Sequence, residues 1–138
     1  MKKQPLGKLR KRYEKYLLSF DCIAHFATYD GAQSIAIMDK NGAGFLRMSW
    51  YYTDDKAILL DSLFVEKHAR EKGLASLLMQ MCEVICRDME ADKVCLCVLK
   101  DSWMESWYAR LGYQQINFQL DPNYIWMQKN ISKQIQPW

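Results

Sequence analysis

Residues 56–99 read as a strand, a helix and a second strand in immediate succession, and that order limits the fold more than any other feature. "KAILLDSLFV" is rich in β-forming residues and long for a strand. After Gly73, the residues Leu74, Leu77, Leu78, Met81, Cys82, Ile85 and Met89 recur at spacings of three and four, so they form one apolar stripe of a helix. "KVCLCVL", residues 93–99, returns to a strand composition. Two strands joined through a helix lie parallel within one sheet, because a hairpin cannot connect them.

The flanking segments fit around that unit. "SIAIM", "FLRMSWYY" and the strand just described follow one another with turn signals between them, Asn41-Gly42 first and Thr53 to Asp55 second. They read as an antiparallel meander. "DCIAHFATYDG" admits a short strand or a helix before a turn at Asp30-Gly31. "WMESWYARLGY" reads as a short helix stopped by Gly112, and "QQINFQL" and "YIWMQKNI" as two strands parted by Asp121-Pro122-Asn123. Pro5 to Phe20 carries Leu9, Tyr13, Tyr16, Leu17 and Phe20 at helical spacing. The expected fold is α+β: a mixed, mostly antiparallel central sheet with one parallel pair and helices packed on it. With 138 residues, 50% of them hydrophobic and 25% charged, the chain is expected to form one domain.

The loop inside the crossover, "VEKHAREKGLASLL", is where chemistry can enter. It places a strand end, a cationic turn and a glycine directly before a helix. The first N–H groups of a helix have no internal partner, and the helix dipole adds positive charge there. Gly73 lets an anion approach the backbone, and Arg70 and Lys72 add charge. A pyrophosphate suits such a site; on spacing alone, so does an ordinary charged connection. The loop matches neither a Gly-x4-Gly-Lys nor a Gly-x-Gly-x-x-Gly pattern.

Arg70-Glu71-Lys72-Gly73-Leu74-Ala75 resembles the R/Q-x-x-G-x-G/A motif of the GNAT superfamily of N-acyltransferases, which also lies between a long strand and a helix. Downstream, "WYARLGY", residues 107–113, resembles the family's aromatic-Tyr-x-x-x-Gly-aromatic motif, and Asp101 stands seven residues before Tyr108, where many members carry Asn. The resemblance covers roughly residues 33–130. It implies that the two parallel strands splay into a V, with helices on both faces of the sheet. It implies acetyl-CoA as co-substrate, its pyrophosphate on the backbone of residues 70–75 and its pantetheine arm paired with Leu63, Phe64 and Val65. The N–H of Leu63 would polarise the thioester carbonyl. Tyr108 would protonate the departing thiolate, a role that a phenol with an ordinary pKa near 10 can fill, although a packing role also fits. Trp107 packs in the core or touches the cofactor arm. The region before residue 33 departs from the family pattern, which normally supplies a first strand and paired helices that wall the acceptor site.

The general base is open. Asp61 lies mid-strand, two residues before Leu63, so period-two alternation puts both on one face. It serves as base, binds a cationic acceptor or is paired structurally. Glu66, Glu105, His25 and His68 are weaker candidates. Cys82, Cys86, Cys95 and Cys97 do not have a zinc spacing, so no metal is expected. Together with Cys22 they read as free thiols of a reducing cytoplasm, since no secretory signal or membrane span is recognisable. Lys2, Lys3, Lys8, Arg10, Lys11, Arg12 and Lys15 face only Glu14 within the first fifteen residues. Contact with nucleic acid through this helix, as a regulatory module or a toxin that acetylates aminoacyl-tRNA, is the alternative function and is not favoured. The leading expectation is transfer of acetyl to a primary amine of a small molecule or peptide, by a monomer or homodimer.

Overall fold

The computed structural model describes residues 6–51 and 57–131. Lys2 and Lys3, the turn expected at Thr53 to Asp55, and the tail after Ile131 lie outside them. Helix α1 (Leu6–Leu18) leads into strands β1 (Cys22–Tyr29), β2 (Ala32–Asp39), β3 (Gly44–Tyr51) and β4 (Ala57–Val65). Helix α2 (Leu74–Asp88), strand β5 (Lys93–Leu99), helix α3 (Trp103–Arg110) and strands β6 (Gln114–Gln115) and β7 (Tyr124–Asn130) follow. The sheet has seven strands in the order β1-β2-β3-β4-β5-β7-β6. Its one parallel pair is β4 with β5, as the crossover requires. The segment left open between strand and helix is β1. Asp30 and Gly31, both at positive φ (44° and 79°), close it onto β2 in a primed two-residue turn. The strand expected over "QQINFQL" is only two residues long. Beyond it the chain turns, and Phe118 packs edge-on against Trp126 at 5.8 Å.

Two features of β4 position everything that follows. First, Arg47 stands opposite Ser62 and Met48 opposite Leu60, so Asp61 is an extra residue in a β-bulge. A bulge bends its strand and increases the local twist. Second, β4 and β5 pair only from Ala57↔Lys93 to Leu60↔Leu96, although both strands continue. From Asp61 onward they part, which is the expected V. The bulge also corrects the alternation argument. Leu63 pairs with buried Leu46, whereas Asp61 reaches Arg47 and Ser49 on the other face. The two side chains lie on opposite faces because the inserted residue resets the period.

The expectation of helices on both faces is also corrected. Strand β3 alternates strictly, with Leu46, Met48 and Trp50 buried and Phe45, Arg47, Ser49 and Tyr51 more exposed. Helix α2 covers the buried side: Cys82 Sγ lies 3.8 Å from Met48 Sδ, and a Cβ on Gly44 would meet Leu74 and Leu78. Helix α1 is tied to α2, since Tyr13 donates to Asp88 at 2.6 Å and Arg12 at 2.9 Å. The α3 end joins the same layer through Tyr108, packed edge-on against Tyr113, whose hydroxyl donates to Glu83 of α2 at 3.2 Å. The described helices therefore share one face. The two-residue turn between β1 and β2 leaves no room there for the paired helices that the family pattern supplies.

Candidate active site

The bulge, the V and the start of α2 converge on one region. Residues Lys67–Lys72 wind into a 3₁₀ helix instead of an open loop, and Gly73 then adopts φ 78° before α2 begins at Leu74. No side chain caps α2. The first N–H to reach back is that of Leu77, to Gly73 O at 3.0 Å. The N–H groups of Leu74, Ala75 and Ser76 find no acceptor among the described residues. Uncapped N–H groups of this kind suit an anion, and the helix dipole adds to that attraction. Arg70 is fixed beside it: its Nε donates to Val65 O at 3.0 Å, and its guanidinium lies 6.0 Å from the centre of the Trp103 ring.

Two adjoining cavities extend from that point. The first, about 520 Å³, is lined by Leu63, Phe64, Val65, Arg70, Glu71 and Ala75 on one side, and by Trp103, Met104, Trp107 and Arg110 of α3 on the other. The second, about 410 Å³, occupies the V itself, between Leu60–Leu63 of β4 and Leu96–Leu99 of β5, with Met104 and Tyr108 from α3. Leu63, Trp103 and Met104 line both. Residues of both sheet faces line the second cavity, so the V runs from the helical layer toward the face that no described helix covers.

Tyr108 is 4% exposed. Burial, with Cys82 nearby, pushes its phenol well above the ordinary tyrosine range, so it holds its proton. Its ring is packed edge-on by Trp107 at 5.1 Å and Tyr113 at 5.6 Å. Its hydroxyl has no hydrogen-bond partner among the described residues and lines the V. The ring is buried while the hydroxyl, protonated and without a partner among the described residues, opens onto the V, where a group arriving with a ligand can meet it.

The family profile for the acetyltransferase (GNAT) domain matches residues 25–115. The chain belongs to the GNAT acetyltransferase family. No curated protein sequence matches it. Among solved structures, an acetyltransferase from Bacillus cereus is 17% identical, with 94% of this chain and 96% of that one covered and a TM-score of 0.57. The PaiA N-acetyltransferase of Thermoplasma acidophilum, solved in complex with coenzyme A, is 16% identical over 72% and 61% of the chains, with a TM-score of 0.60. A GNAT family acetyltransferase from Elizabethkingia anophelis, solved with acetyl-CoA bound, is 10% identical over 80% and 98%, with a TM-score of 0.58. At these identities the likeness is one of fold.

Measured against this GNAT frame, the expected residues divide. Leu63, Phe64, Val65, Arg70, Glu71, Ala75 and Trp107 meet around the first cavity, and Asp61, Leu63 and Tyr108 around the second. Gly73 and Leu74 shape the helix start without lining either cavity, and Lys72 lines neither. Asp101 stands apart, exposed at φ 60°. Glu105 is occupied in the α3 cap, accepting the Asp101 N–H at 2.9 Å while its own N–H donates to Ser102 Oγ at 3.3 Å. Glu66 pairs with His68 at 3.3 Å on the surface, and His25 lies exposed on β1, three strands from β4. The neighbours of Asp61 were not foreseen: its Oδ2 accepts from Arg47 Nε at 3.2 Å and Ser49 Oγ at 3.3 Å. Neither was the buried cluster behind Tyr113, where Glu83 also takes Lys129 Nζ at 2.9 Å and Arg87 at 3.5 Å. The available signal was Glu83 itself, a carboxylate between Cys82 and Val84 in an otherwise apolar helix.

Proposed function

We propose that the protein transfers the acetyl group of acetyl-CoA to a primary amine by direct attack within a ternary complex. The observation that carries this reading is the hydroxyl of buried Tyr108, which opens onto the V with no partner among the described residues, one cavity away from an uncapped helix start. The residues present fit CoA. The free N–H groups of Leu74 to Ser76 and the Arg70 guanidinium suit its pyrophosphate. The apolar walls formed by Leu63, Val65, Trp103, Met104 and Trp107 suit its pantetheine arm. Beyond Leu60, β4 has lost its β5 partner, so its edge can accept that arm as it would a strand.

Acetyl-CoA supplies the activated thioester. The Leu63 N–H polarises its carbonyl, an interaction that strengthens as charge develops on oxygen. Tyr108 donates its proton to the thiolate as the carbon–sulfur bond breaks. Asp61 takes the proton released by the amine, directly or through water, and Arg47 and Ser49 hold its carboxylate in place. Because Asp61 faces the side that no described helix covers, the amine arrives from that side while the cofactor lies against the helices. A small or peptide amine fits this approach. The nucleic-acid reading loses ground, because Arg10 and Arg12 of α1 are engaged with Glu14 and Asp88.

Calorimetric titration with CoA tests the cofactor claim, and the absence of binding at millimolar CoA would sink it. A turnover screen across amine classes, read by thiol release, tests the reaction. A protein that binds CoA but releases no thiol with any amine would leave a binding module in place of an enzyme.

A further inference from the structure

The V holds a cysteine thiol that the proposed reaction does not use. Cys22, Cys82 and Cys86 are buried and Cys95 is half-buried, whereas Cys97 is exposed. Cys97 is the first residue of β5 beyond Leu96, the last to pair with β4, so it stands where the strands begin to part. It lines the same cavity as Leu63 and Tyr108. The second, independent sign that this cavity receives a ligand atom is Tyr108, a residue 4% exposed whose hydroxyl opens onto the cavity with no partner among the described residues.

We propose that Cys97 is a covalent modification site, where a hydroperoxide and free CoA convert its thiol to a Cys97–CoA mixed disulfide that closes the V. The inference rests on the CoA reading above, which brings the thiol of the pantetheine arm to the cavity containing Cys97. The chemistry balances in two steps. The Cys97 thiolate attacks one oxygen of hydrogen peroxide, the O–O bond breaks, and a sulfenic acid forms as one water leaves. The CoA thiol then attacks that sulfur, the S–S bond forms and a second water leaves. Two thiols are oxidised and one peroxide is reduced. Burial and nearby Asp121 push the Cys97 thiol up, so only a small thiolate fraction meets the peroxide and the first step is slow. Holding the second thiol in the same cavity supplies the high local concentration that favours this adduct over a random one. Acetyl-CoA has no free thiol, so the adduct forms from the product of turnover and not from the co-substrate.

The test treats the full chain with hydrogen peroxide and CoA and follows it by intact-mass spectrometry. The expected result is one adduct of the mass of CoA less two hydrogens, mapped to Cys97 by peptide analysis. Dithiothreitol removes it, and CoA lacking its sulfur suppresses it. It is lost in Cys97→Ser and retained in Cys95→Ser, and acetyl-CoA turnover falls as it accumulates and returns with reductant. A titration of reduced protein with CoA runs in parallel. If CoA binds and the adduct is absent or spread equally over Cys95 and Cys97, the modification site is overturned and the CoA reading stands. If CoA does not bind, both fall.

Discussion

Two tyrosines packed ring to ring at 5.6 Å have been put to opposite uses. The Tyr113 hydroxyl donates to Glu83 within a buried cluster that also takes in Lys129 and Arg87. The Tyr108 hydroxyl has no partner among the described residues and faces the V. A third buried tyrosine, Tyr13, follows Tyr113, since it donates to Asp88 at 2.6 Å. Burying a polar group stabilises a fold only when its hydrogen bond is made. The paired hydroxyls therefore support structure, and the unpaired one, open to the V, is left for water or a ligand to satisfy. The largest expected effect breaks the structural side. Glu83→Ala leaves Lys129 and Arg87 without their shared carboxylate and should destabilise the protein by about 3 kcal/mol. Denaturant unfolding measures this, and a loss below about 1 kcal/mol would mean that solvent already screens the cluster.

Tyr108→Phe addresses the functional side. It should lower kcat by about 100-fold, with CoA affinity and thermal midpoint nearly unchanged, because no hydrogen bond within the protein is lost. An unchanged rate would remove its acid role, and a large drop in midpoint would make it a structural tyrosine like its neighbour. Tyr113→Phe should do the reverse, costing about 1.5 kcal/mol of stability through the lost bond to a carboxylate while sparing kcat. The pair also predicts a pH response. Burial is the main cause that raises the phenols of Tyr13, Tyr108 and Tyr113, so the folded protein retains protons that unfolded tyrosines release near pH 10. Above about pH 10 the unfolded state binds fewer protons than the native one, and stability falls as pH rises. Thermal midpoints between neutral and strongly alkaline pH should show that decline, shallower in Tyr113→Phe.

The same contrast explains what was legible beforehand. The crossover, the meander and both helix-borne motifs could be read, because periods of two and three to four survive in the chain and Gly73 and Gly112 punctuate them. The bulge at Asp61 could not. One inserted residue leaves a strand's composition unchanged while moving Asp61 to the face opposite Leu63. The one-sided helical layer was equally hidden, since an apolar stripe says that a helix packs but not on which face of the sheet. Tyr108 was legible through its motif, whereas its isolation from hydrogen-bond partners is a tertiary property. Glu83 was visible as a lone acid, but Lys129, 46 residues away, is joined to it only by the approach of β7 to α2.

The smallest predicted effect separates backbone shape from backbone donors at the proposed anion site. Gly73 holds φ 78°, and a Cβ added there would meet nothing within 4 Å. Gly73→Ala therefore creates no clash, and its cost is the left-handed strain alone, about 1 kcal/mol. If the helix start stays in place, the N–H groups of Leu74 to Ser76 still converge, and CoA affinity should fall less than tenfold. If instead the alanine escapes its strain by moving the last turn of the 3₁₀ helix, those donors scatter. CoA affinity would then fall by far more than the stability does. Comparing the change in CoA dissociation constant with the change in unfolding free energy distinguishes the two. Equal losses would mean that the glycine matters only for shape, and a much larger loss in binding would make its conformation part of the phosphate site.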